Sequence, residues 1–80
     1  MKLSTRARYA ARIMTRLAAM RGTKPAQKKK IAEAEGISAD YVEQILMRLK
    51  SAGLVRSHRG IDGGFSLAKD PATVTLADVL

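Results

Sequence analysis

Asp40, Glu43, Gln44, Met47 and Ser51 recur at helical spacings, and at about 100° per residue they share one side of a helix. A carboxylate on such a face can accept from cytosine N4, and a carboxamide can pair with adenine N6 and N7. Arg59-Gly60-Ile61-Asp62-Gly63-Gly64 is a second set. There a guanidinium heads a glycine-rich turn, where it can enter a narrow minor groove of negative potential. Lys28-Lys29-Lys30 is a third, three ammonium groups beside which a phosphate would be stabilised. Covalent chemistry has no comparable residues. The 80 residues contain no cysteine, one histidine and seven acids without an evident pairing, so neither a nucleophile–base pair nor a metal set is available.

Charge agrees with a polyanionic partner. The net charge is +8 and the pI is about 10.5, which favours nucleic acid first and anionic membrane second. The excess is uneven: residues 1–40 hold ten Lys or Arg against three acids, and residues 41–80 hold five against four. No acid precedes Glu33. An Arg-rich, acid-free start has the composition of a transit peptide, yet the same residues carry an apolar periodicity that a core needs. Arg6, Arg8, Arg12 and Arg16 interrupt it too often for a membrane span. A cytoplasmic protein is expected, without membrane attachment. Eighty residues without disulfides lie near the lower limit for one domain with its own core.

The elements that must position these groups are three helices and a hairpin. Met1 to Arg21 is expected as the first helix, capped by Ser4 or Thr5, with Tyr9, Ile13, Leu17 and Met20 as its inward stripe and Ala10 filling in. Arg8, Arg12 and Arg16 form a ridge along its flank that reads equally as a solvated face; Arg8, nearest the start, is the better phosphate candidate. Ala26 to Glu35 is expected as a second helix closed by Gly36. Ser38 caps a third that runs to about Ala52 and stops at Gly53, with Val42, Ile45, Leu46 and Leu49 facing a core. Tyr41 and Arg48 lie on one flank of its polar face and Lys50 on the other. Residues 54–58 and 65–68 alternate as two strands around the glycine-rich tip. His58 is expected to pack or pair within that hairpin. Thr75 can cap a last helix over residues 76–80, too short to stand alone, which reads as the front of a longer protein.

Helix, glycine turn, helix and glycine-tipped hairpin make a mainly α fold with a small β-hairpin, a winged helix-turn-helix. A phosphate-cradling nucleotide loop is a weaker reading of the glycines, since a strand follows them and no Gly-Lys-Ser/Thr does. A winged-helix protein-interaction module and a non-specific RNA- or membrane-binding basic domain remain as alternatives. The RNA form lacks stacking aromatics and the membrane form lacks exposed Trp or Phe.

MKLSTRARYA, the central IAEAEGISADYVEQILMRLKSAGLVRSHRG and the closing GGFSLAKDPATVTLADVL together resemble the DNA-binding half of the Rrf2 family of bacterial transcriptional regulators. The resemblance implies a homodimer that represses or activates promoters from a pseudo-palindromic operator on double-stranded DNA. It implies a winged helix-turn-helix domain over residues 1–72 and the beginning of a dimerisation helix over 73–80. Carried over residue by residue, it puts Ser38, Asp40, Tyr41, Glu43 and Gln44 toward the operator and Arg59 in the minor groove. Among these, Asp40, Glu43, Gln44 and Arg59 are expected to face bases. Ser38 and Tyr41, together with Arg8, Lys28, Lys29, Lys30, Arg48 and the backbone of Gly60, are expected to hold phosphates. Glu43 can act by opposing wrong sequences as well as by favouring right ones. The family's usual wing is Arg-Gly-Pro-Gly-Gly-Gly-Tyr, and here Ile61, Asp62 and Phe65 replace the proline, one glycine and the tyrosine. Asp62 is expected to weaken wing insertion or to pair with Arg59 in the free protein. Cluster-binding members carry three cysteines after the closing helix begins. No cofactor is expected in residues 1–80, and an iron–sulfur cluster is implied only if cysteines follow residue 80.

Overall fold

The computed structural model describes residues 4–68. The helix expected at 73–80 lies outside the described residues. In chain order the elements are α1 (Thr5–Ala19), α2 (Lys28–Glu35), α3 (Ala39–Ser51), β1 (Val55–His58) and β2 (Gly64–Leu67).

α1 begins where Ser4 turns its hydroxyl oxygen back to accept from the Ala7 amide at 3.1 Å, supplying a partner to an amide the helix itself leaves unpaired. Its buried side chains are Ala7, Ala10, Ile13, Met14 and Leu17. The expected stripe is therefore turned. Tyr9 and Met20 pack only at the edge of the core, while Ala7 and Met14 are buried beside the expected Ala10, Ile13 and Leu17. Large side chains dominate a sequence reading of a helix face, so a small residue such as Ala7 is easily passed over.

α2 starts at Lys28, later than the expected Ala26. Ala26 is buried and extended, and its amide and carbonyl both bond to Phe65, at 2.9 and 2.8 Å. Two backbone hydrogen bonds to a distant strand hold it out of the helix. The helix closes at Gly36, whose φ of 68° is the left-handed conformation that a side chain disfavours.

α3 follows after one short turn. Ser38 accepts from the Tyr41 amide at 3.1 Å, and Asp40 stands in the first turn, where its charge complements the helix dipole. Val42, Ile45, Leu46 and Leu49 are all buried. They meet Ile13 and Leu17 of α1, Ile31 of α2, and Leu54 in a single core. Burying each such aliphatic side chain contributes about 1.5–3 kcal/mol before the entropy of ordering it is counted.

The hairpin pairs β1 and β2 antiparallel, Val55 opposite Leu67 and His58 opposite Gly64. Ala26 adds a one-residue bridge on the other side of Phe65. Gly64 is required by that bridge. A Cβ there would overlap the Ala26 carbonyl, and its φ of 154° disfavours a side chain as well. The hairpin is thus tied to the segment that leads into α2, which fixes the wing relative to the helices.

Candidate nucleic-acid interface

The outer side of α3 carries Asp40, Glu43, Gln44, Met47 and Lys50, all exposed, opposite the fully buried stripe. Nothing in the described residues covers it. Ser38 is exposed at the start of this face with its oxygen engaged in the cap. Its hydroxyl hydrogen is free to donate outward.

Lys28, Lys29 and Lys30 form the first turn of α2, with no acid in that turn and no side-chain cap at Gln27. Three cations at a positive helix end raise its free energy, and an anion placed there would lower it. Lys29 and Lys30 are exposed. Lys28 leans across the turn instead, and its Nζ lies 3.5 Å from Glu43 Oε1 on α3. The two candidate sets thereby meet at one point.

Tyr41 is half-buried rather than free on the surface. Its ring meets the Tyr9 ring edge-on, with centroids 5.9 Å apart and an interplanar angle of 81°. The Arg12 guanidinium lies 5.8 Å from the Tyr9 ring centre. This stack joins α1 to the first turn of α3 and braces the exposed face from behind. Arg48 is exposed and lines a groove shared with Ser4, Arg6 and Met47, so it lies toward the start of α1. Arg8 is exposed on α1.

Arg12 and Arg16, on the flank that reads equally as a solvated face, both reach an acid of α2. Arg12 Nε donates to Glu35 Oε1 at 2.7 Å and the Arg16 guanidinium to Oε2 at 2.6 Å. The Glu35 side chain is only 2% exposed, against 63% and 38% for its partners. Hydrogen bonding from Arg16 holds the Glu35 carboxyl below its ordinary value; burial pushes the other way and is outweighed, and the Arg12 bond and the charge of both arginines lower it further. Sequence reasoning missed Glu35. The available signal was an acid at the C-terminal end of α2, next to Gly36, where the helix dipole opposes a negative charge unless cations answer it.

The wing carries Arg59 and Ile61 exposed at its tip, Ile61 to 97%. Gly60 has a φ of 104°, and the Gly63 amide bonds back to its carbonyl at 3.0 Å, which closes the turn. Asp62 does not pair with Arg59. Its carboxylate accepts from Lys24 Nζ at 3.2 Å, because the bridge at Ala26 draws the segment before α2 alongside the tip. Arg59 is left without an acidic partner among the described residues. His58 shares a hydrogen bond with Ser66 across the hairpin, Nε2 to Oγ at 2.7 Å.

Residues 3–80 match the family model Rrf2, described as an iron-dependent transcriptional regulator. The chain belongs to the Rrf2 family. Over all 80 residues it is 41% identical to the HTH-type transcriptional regulator CymR of Bacillus subtilis (strain 168), covering 58% of that protein. It is 39% identical to the HTH-type transcriptional regulator IscR of Klebsiella pneumoniae (strain 342), covering 49% of it. The chain spans about half the length of such curated relatives. Among solved structures, CymR, the global cysteine regulator of B. subtilis, superposes with a TM-score of 0.92 at 40% identity, over 99% of this chain and 61% of that one. The IscR of T. potens does so with a TM-score of 0.89 at 40% identity, over 99% and 58%. The winged helix-turn-helix fold is that of these Rrf2 proteins, whose names are those of regulators rather than enzymes.

For the iron named in that description, the described residues offer no donor set. The chain has no cysteine, and no three His, Cys, Asp or Glu side chains are grouped among the described residues. These residues do not fit an iron–sulfur cluster. Among the described residues no helix is long and apolar enough to cross a membrane.

Proposed function

We propose that this chain is the DNA-reading part of a bacterial transcriptional regulator, acting in the cytoplasm on double-stranded operator DNA. The carrying observation is the exposed α3 face, polar but not simply cationic, backed by a fully buried stripe on a chain of net charge +8. The charge supplies attraction to phosphates without regard to sequence, and the carboxylates and the carboxamide supply discrimination.

In this reading α3 enters the major groove with Asp40, Glu43 and Gln44 toward base edges. Gln44 bridges adenine N6 and N7, and Glu43 accepts from cytosine N4. Lys29 and Lys30 at the α2 start, Ser38, Arg8 and Arg48 meet phosphates, as does the Gly60 backbone at the wing. Tyr41, held against Tyr9, contributes more as a brace than as a freely placed donor. Arg59 reaches the minor groove, and Ile61 beside it presents an apolar edge to the sugars. Two copies place their α3 helices about one helical turn apart, ~34 Å, on a pseudo-palindrome. The domain then spans residues 1–72, and a helix beginning within 73–80 leads to the dimer contact. Any cluster would be held by cysteines beyond residue 80.

The experiment is a selection from random duplex DNA by the intact protein at two salt concentrations. An enriched palindromic motif that persists at the higher salt supports sequence-specific regulation. Retention without a motif, lost steeply as salt rises, would leave only non-specific charge.

A further inference from the structure

The Lys28–Glu43 contact joins the start of α2 to the outer face of α3, with Nζ 3.5 Å from Oε1. Both side chains are partly open to solvent, Lys28 at 37% and Glu43 at 51%. Neither is needed by the core. Lys29 and Lys30 have no carboxylate within ion-pairing distance among the described residues, so the contact is particular to the first lysine of the three.

A bare carboxylate on a DNA-facing surface is a strict selector. Guanine N7 and O6, adenine N7 and thymine O4 are all acceptors and repel it, while cytosine N4 and adenine N6 offer hydrogens. It therefore works chiefly by rejecting sequences. An ammonium 3.5 Å away changes that balance. It offsets part of the negative charge, so an acceptor placed opposite Glu43 meets a weaker repulsion.

We propose that Lys28 is a specificity-setting residue that acts through Glu43, widening the range of base pairs tolerated opposite that carboxylate. This rests on the DNA-reading function proposed above. Lys28 is a positioning residue, since its ammonium meets the carboxylate and not the base.

A plain phosphate contact by Lys28 behaves differently. Losing one weakens binding evenly across sequences and lowers the salt dependence by about one ion. The test uses the intact protein and the duplex it enriches from a random pool, together with all single-base-pair variants of that duplex. Dissociation constants are measured for the wild type, Lys28→Met, Lys28→Arg, Glu43→Gln and the Lys28→Met/Glu43→Gln double variant. Lys28→Met is expected to widen the gap between duplexes with a donor and those with an acceptor opposite Glu43 by about tenfold, the scale of one mismatched base pair. Lys28→Arg restores the wild-type gap. Once Glu43 is glutamine, Lys28→Met leaves the gap unchanged. An even loss of affinity on every duplex, in both backgrounds, overturns the proposal while leaving sequence-specific binding intact. A wild type that enriches no motif overturns the reading beneath it, and the proposal with it.

Discussion

Glu35 and Glu43 each take basic partners from a neighbouring helix, and the two arrangements differ in almost every physical respect. Glu35 is buried to 2% exposure and clamped by two guanidiniums at 2.6–2.7 Å. Glu43 is half exposed beside a single ammonium at 3.5 Å. The first carboxylate has been taken out of water, and the arginines are what make its charge tolerable there. The second keeps most of its water, and its ion pair contributes little to stability. One acid therefore holds α1 against α2, and the other remains available to a partner. Charge in the sequence does not separate these roles; the burial of the carboxylate does.

The sharpest way to break this contrast is to remove the clamp. Glu35→Ala leaves two arginines without their acceptor and should destabilise the fold by about 1–3 kcal/mol, allowing for the exposure of the arginines. In a domain of this size that lowers the melting temperature by about 4–8 °C per kcal/mol. Glu43→Ala should leave the melting temperature nearly unchanged. Equal effects of the two substitutions would erase the distinction.

Acid offers a gentler version. The Glu35 carboxyl titrates below its ordinary 4.5 in the folded chain. A depressed folded value means that its stabilisation is complete above the unfolded value and is lost as pH falls through the folded one. The stability gap between wild type and Glu35→Gln should thus be full near neutral pH and shrink below about pH 4. Thermal melts across that range check the sign, and a gap that grows on acidification would refute it. Smallest of all is Asp62→Asn, which removes the exposed pair with Lys24. Its effect on stability should stay within about 0.5 kcal/mol and vanish in high salt, as calorimetry at two ionic strengths would show.

Legibility of these features in the sequence follows their locality. α3 was readable because its stripe, its Ser38 cap and its Gly53 stop all lie within one short segment. The exposed positions of Asp40, Glu43 and Gln44 follow from the same periodicity. Ala26 was misread as helical because the groups that hold it extended belong to Phe65, far along the chain. On α1 the expected Ala10, Ile13 and Leu17 are buried, whereas Ala7 and Met14 take the inward places expected for Tyr9 and Met20. The Arg12–Arg16–Glu35 clamp and the Lys24–Asp62 pair both join residues from separate elements. No spacing rule links such residues, so their pairing emerges only when the helices are packed and the wing is bridged to Ala26.

Base reading by the exposed face of α3 is probed by comparing the motifs selected from random duplex DNA by the wild type, Gln44→Ala and Glu35→Gln, each at a temperature where it is folded. Gln44→Ala is expected to lose preference at one base pair in each half-site, while Glu35→Gln selects the wild-type motif. A motif unchanged by Gln44→Ala but altered by Glu35→Gln would contradict the assignment of base reading to the exposed face of α3.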